Sequence, residues 1–203
     1  TIASIAQGDE YNYLRAGRTK ETLQDGPRGD VVFTGRTLDL SIALGDSWAL
    51  TANRYKADSE EPITRVNPDT GQTTEQRDIP QKSSMVGLLF HSPVSAGTEL
   101  LLSYEKGERK FWFMDSSGPL YRDGKEDGKR VSAGLKAVFF GRLETRLLQQ
   151  QFKYEDSVMD RENKITDMLL EANYHLSSEY TMGLSFTRND YSERYVAGVG
   201  ISF

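Results

Sequence analysis

The side chains that could do chemistry in this chain of 203 residues are few and widely spaced. It contains no cysteine, which removes thiol nucleophiles, zinc–thiolate sites and any disulfide framework. Its two histidines are His91 and His175. His175 stands two residues before Ser177, with Glu171 and Glu179 near enough in sequence to orient an imidazole. A hydroxyl beside a held imidazole is a nucleophile–base arrangement. Positions i and i+2 of a strand also match this way by chance, so a polar strand end is the simpler reading. Glu155, Asp156, Asp160, Arg161 and Glu162 form a charged run that could hold a divalent cation, although a solvated loop explains it more simply. The more informative set is Asp39, Glu99, Lys136, Glu144, Arg146, Asp167, Glu171 and Asn173. These polar groups recur within stretches of alternating character, which makes the strands that carry them the next question.

A strand sends successive side chains to opposite faces. Leu38, Leu40, Ile42 and Leu44 fall on one face of residues 31–44, with Thr37, Asp39, Ser41 and Ala43 on the other. Gly45-Asp46 turns the chain, and Trp48, Leu50 and Ala52 alternate on the way back, as in a hairpin. The same reading pairs 83–91 with 98–106, 131–139 with 143–154, and 164–176 with 180–187. Parity slips at Leu147-Leu148, where a bulge is expected. The last stretch puts Tyr195, Ala197, Val199, Ile201 and Phe203 on one face and Val196, Gly198, Gly200 and Ser202 on the other. With residues 10–19 as a weak first strand the count is ten, and eight or twelve stay open. Short connections fall near 45–47, 92–97, 141–142 and 177–179. They alternate with longer or more charged ones near 20–30, 57–82, 107–129, 155–163 and 189–193.

Hydrophobic residues are only 37% of the chain and mean hydropathy is negative. No stretch approaches the roughly 20 apolar residues of a spanning helix. A membrane barrel escapes that test, because only alternate residues of each strand meet lipid. Net charge is −5 with both signs interspersed, which gives no footprint for nucleic acid. No composition break divides the chain, so one domain over 1–203 is expected.

The alternating final strand ending on Phe203 resembles the closing strand of Gram-negative outer-membrane β-barrels. That resemblance implies an all-β fold, an antiparallel up-and-down transmembrane β-barrel in the bacterial outer membrane. Its implied surroundings are outer-membrane lipid and lipopolysaccharide. An even strand number with short periplasmic turns puts both termini on the periplasmic side, with residues 1–9 as a periplasmic segment. Residues 1–7 read equally as a mature amino terminus or as the end of a signal peptide with a small-x-small site at Ser4 and Ala6. A soluble lipocalin-like barrel would exchange the two faces. Two features favour the membrane reading. The lean face mixes Asp39, Glu99, Lys136, Asp167 and Glu171 with Gly, Ser and Thr, which suits a wet or ion-paired lumen. Aromatics fall in two bands: Trp48, Phe90, Phe139, Phe140, Tyr180 and Phe203 beside short turns, and Tyr104, Phe152, Tyr154, Phe186 and Tyr195 toward longer loops.

Within that class, His175-Leu176-Ser177 resembles the His-x-Ser pair of the outer-membrane lipid A deacylases. The topology puts it at a periplasmic turn, whereas lipid A lies in the outer leaflet, so catalysis is not expected there. The omptin proteases share ten strands but need a histidine with acidic partners near the outer rim, where neither histidine falls. No nucleotide loop or metal spacing is present, and the expectation is a non-enzyme with no cofactor. Asp39, Glu99, Glu144, Asp167 and Glu171, with Lys136, Arg146 and Asn173, are expected to line the lumen. Ten strands leave room for either an ion-paired plug or a narrow pore whose acidic excess favours cations. The leading functional reading is a passive narrow channel for small polar solutes or ions. The alternative is a plugged structural or adhesive barrel whose loops 57–82 and 107–129 bind surface polysaccharide or a partner. A lipid-modifying enzyme comes third.

Overall fold

The computed structural model describes residues 11–24, 30–66, 73–76, 80–110, 113–115, 118–120, 126–156 and 161–203. In chain order the strands are β1 Tyr13–Leu23, β2 Val31–Ala43, β3 Trp48–Ser59, β4 Ile63–Val66, β5 Thr73–Gln76, β6 Pro80–Ser95 and β7 Thr98–Lys110. They continue with β8 Phe113–Asp115, β9 Gly118–Leu120, β10 Glu126–Phe139, β11 Leu143–Asp156, β12 Arg161–His175, β13 Tyr180–Arg188 and β14 Ser192–Ser202. The short strands β4–β5 and β8–β9 form two hairpins within the longer connections. The ten long strands make one closed, up-and-down antiparallel barrel, the expected number. β14 closes it on β1, in register from Tyr13↔Ser202 to Leu23↔Ser192. Closure leaves no strand edge for lipid, which cannot hydrogen-bond one.

One end of the barrel carries tight turns, the other the longer connections. At the tight end the N–H of Arg142 donates to the carbonyl of Phe139 at 3.1 Å. Phe140 and Gly141 there have φ of 52° and 65°. Two positive-φ residues match the right-handed twist of the flanking strands, and the non-glycine one carries the strain. The register shift in the β6–β7 hairpin lies between Pro93 and Ser95, where proline lacks a ladder donor.

Alternation runs opposite ways in the two halves of the barrel. Toward the tight turns the outward positions are apolar: Leu184 and Val199 are 65% and 62% exposed, and their inward neighbours are small or charged. On β10 this outward run spans Val131 to Phe139. For strands tilted as barrel closure demands, that is a band about 20 Å tall, near the ~25 Å of membrane barrels. Toward the longer connections the pattern inverts. Phe33, Tyr55, Ala57, Met85, Phe152, Tyr154 and Ile165 point inward and are buried in two apolar clusters. Lysines and arginines stand outside. There the strands run beyond the apolar band and pack as a water-soluble barrel does.

This inversion corrects three expectations. β11 has no bulge at Leu147-Leu148, because its pairing with β10 and β12 is unbroken. Leu147 faces out and Leu148 in, and the apparent slip is the change of regime along one regular strand. Phe152 and Tyr154 belong to the interior and not to an outer girdle. The strands also reach further into the polar stretches than expected, to Leu23, Ser59 and Lys110. Residues 1–9, Asn67 to Gly71, Phe111-Trp112 and Asp160 lie outside the described residues.

Candidate functional site in the barrel lumen

The inward side chains stack in layers along the barrel axis. Nearest the tight turns, Tyr11 precedes β1 and enters the lumen, where it is fully buried with Ala49, Leu89 and Leu101. Its ring stacks on His91 at 3.8 Å between centroids, and its hydroxyl donates to Glu99. Lys136 reaches the same carboxylate at 3.1 Å and lies 4.5 Å from the centre of the Tyr11 ring. At 1% exposure Lys136 is out of reach of bulk water.

The next layer is a quartet of two carboxylates and two guanidinium groups. Arg146 Nη2 lies 2.8 Å from Glu144 Oε1, and Arg146 Nη1 lies 3.9 Å from Glu171. Arg15 crosses from β1 to pair directly with Glu171 and stands 3.7 Å from Glu144. Asn173 Nδ2 donates to Glu144 at 3.2 Å and also to Glu171, so it joins both acids. Tyr13 presents its ring to both arginines, at 4.1 Å from Arg15 and 5.6 Å from Arg146. The closing strand makes this arrangement possible. A Cβ on Gly200 would stand 2.7 Å from Arg15 Cγ, so the small side chains of β14 leave the space that Arg15 fills. Two acids and two bases cancel in charge, which is the condition for burying ions at tolerable cost.

Above the quartet, a chamber of about 170 Å3 lies beside Gly17, Gly183 and Gly198. Its polar wall includes Asp39, which accepts from Asn53, and Arg130, whose Nε lies 2.6 Å from Glu105. Asp167 accepts from Asn189 at 2.7 Å. Higher still, Tyr55 donates to Glu21 and lies beneath Arg194 at 5.2 Å. The two apolar clusters lie at this end.

Of the residues singled out in the sequence, Glu144, Arg146 and Glu171 come together in the quartet, and Asn173 donates to both of its acids. Glu99 and Lys136 pair one layer away, while Asp39 and Asp167 bind separate amides. Sequence reasoning missed Tyr11, Tyr13, Arg15, Glu105 and Arg130, five of the groups that complete these layers. Arg15 had a signal: it alternates with Tyr13 and Gly17 in the strand that must meet the lean face of β14. The histidine–serine pair does not assemble. Ser177 Oγ accepts from the backbone N–H groups of Glu179 and Tyr180 at 3.2 and 3.1 Å, while His175 Nδ1 lies 3.4 Å from Thr181 Oγ1.

No protein-family model matches the chain, and no curated protein matches it. The β domain of the Bordetella autotransporter BrkA aligns over 95% of this chain and 100% of its own, with 10% identity and a TM-score of 0.56. The chain has the fold of a bacterial outer-membrane β-barrel. Neisserial surface protein A covers 94% of this chain and 96% of its own at 9% identity, with a TM-score of 0.47. The NanC porin covers 94% and 99% at 12% identity, with a TM-score of 0.45. Identities this low make the likeness one of fold, and they bring no activity with them.

Proposed function

We propose that this outer-membrane barrel is closed to solutes and works through its outward surfaces. The observation that carries the reading is the Arg15–Glu144–Arg146–Glu171 quartet, which spans the lumen with Tyr11 and Lys136 stacked below it. An ion threading that layer would have to break buried pairs, and a stranded charge there is costly. In this reading both termini and the tight turns are periplasmic, residues 1–9 form a short segment there, and 1–203 is one barrel domain. The β4–β5 and β8–β9 hairpins then stand on the cell surface, with β4 against β9. They offer a platform for surface polysaccharide or a protein partner.

Proteoliposomes carrying the full chain are the test. In isotonic arabinose they should swell no faster than empty liposomes. Swelling that slows with increasing sugar size would instead support the second reading, a narrow channel for small polar solutes. That reading draws on the polar chamber beside Gly17 and Gly198. It requires the layers below the chamber to open, starting with withdrawal of Tyr11.

A further inference from the structure

At the upper edge of the apolar band the outward side chains give way to lysine and arginine, directly on β1, β2, β7 and β10 and after Arg54, Ser84, Gln151 and Thr166 on β3, β6, β11 and β12. Arg18 of β1 lies directly opposite Arg36 of β2, Arg36 opposite Lys56 of β3, and Lys56 opposite Lys82 of β6. A second row runs through Lys106 of β7, Lys129 of β10, Lys153 of β11 and Lys164 of β12, each again directly opposite the next. All eight are exposed, on the outward parity of their strands. Barrel strands tilt, so a row followed straight across the ladder climbs toward the longer connections. The second row begins four residues lower on β7 than the position opposite Lys82, and the two rows form one belt.

Two residues toward the tight turns from Arg36, Lys106 and Lys129, the outward side chains are Leu38, Tyr104 and Val131, all exposed. On these three strands the belt borders the lipid-facing surface directly, and on β3, β6, β11 and β12 one or two polar residues lie between. At the opposite end no lysine or arginine occupies an outward strand position among the described residues.

Like charges directly across a ladder repel, with Cα atoms only about 4.5–5.5 Å apart. An acidic neighbour offsets some of this on β3, where Asp58 lies 3.4 Å from Lys56. A row of cations at this spacing on a lipid-facing rim is complementary to phosphate groups at headgroup depth. One phosphate can bridge two opposed cations, and long basic side chains rise to headgroup level while their stems lie on the apolar band.

We propose that this belt binds the phosphate groups of a multiply phosphorylated membrane lipid, the glycolipid of the leaflet on the long-connection side. That leaflet is the outer one under the orientation given above, and the inference rests on that orientation for the leaflet alone. Binding measured in detergent micelles does not depend on orientation or on whether the lumen conducts, so the two can fail separately.

The test uses the full chain in dodecyl maltoside, titrated with bisphosphorylated lipid A, with the same lipid stripped of both phosphates, and with inorganic pyrophosphate. Binding is followed by native mass spectrometry and by the heating midpoint of the gel-mobility shift. Bisphosphorylated lipid A should bind and raise the midpoint, and the other two should not at equal concentration. The triple variant Lys106→Gln, Lys129→Gln, Lys164→Gln should bind it about tenfold or more weakly. Without lipid that variant should melt at or above the wild-type midpoint, because repulsion has been relieved. Equal binding of the stripped lipid, equal binding by the variant, or capture of pyrophosphate alone would overturn the proposal. So would a variant that melts lower without lipid.

Discussion

Replacing Arg146 with Met is the sharpest probe of the lumen. It deletes a guanidinium group that lies 2.8 Å from Glu144 and 3.9 Å from Glu171 and donates to the Tyr13 hydroxyl at 3.3 Å, while Met keeps an apolar stem of similar length. At an effective dielectric near 20, the shorter contact alone is worth about 6 kcal/mol of attraction. Part of that is cancelled, because Arg15 no longer repels a second cation and water can enter the gap. Breaking a buried pair from one side typically costs about 3–5 kcal/mol, and that is the expected loss. Adding Glu144→Gln leaves one acid, Glu171, with one base, Arg15. The double variant should therefore recover about 2 kcal/mol of the loss as coupling between the two sites. Urea unfolding in lipid vesicles, read by gel mobility and tryptophan fluorescence, measures both. A single variant within 1 kcal/mol of wild type, with no coupling in the double, would mean that the quartet is wet and screened. The case for a closed lumen would then fail.

Three further outcomes follow from the same geometry. Tyr11→Ala removes the ring stacked on His91 and the donor to Glu99, so it should cost about 3 kcal/mol in the same assay while the intact quartet keeps liposome swelling at the wild-type rate. Gly200→Val places a side chain where Arg15 Cγ lies and should destabilise by about 2 kcal/mol, whereas Val199→Ala, on the lipid side, should cost about 1 kcal/mol or less. Leu184→Arg puts a charge in the apolar band and should cost about 2–4 kcal/mol in vesicles; Arg36→Leu, at the belt, should stay within about 1 kcal/mol of wild type.

The half of the barrel in the apolar band was the legible half. There lipid outside and ions inside force a period of two, and Leu38 to Leu44 or Tyr195 to Phe203 show it plainly. Ten strands and the alternation of tight and longer connections follow from those runs. Above the band the rule reverses, because apolar residues now avoid water by facing inward. Read with one rule, β11 seems to slip at Leu147-Leu148, and the outer ends of β3, β7 and β12 read as polar loops. The interior set was legible as a face but not as a network. That Arg15 meets Glu171 depends on β1 lying against β14, with Glu171 two strands further round, a separation of 156 residues that periodicity cannot report. Tyr11 was missed for another reason: it fell in the weak first strand read over 10–19, whose partial alternation gave no face, whereas β1 begins only at Tyr13.

Current through a planar lipid bilayer holding the full chain tests the closed lumen most directly. The wild type should show no stepwise conductance across ±100 mV, and discrete steps should appear once Tyr11→Ala is combined with Arg146→Met. Regular, cation-selective steps from the wild-type protein, unaltered by those two substitutions, would contradict a closed lumen.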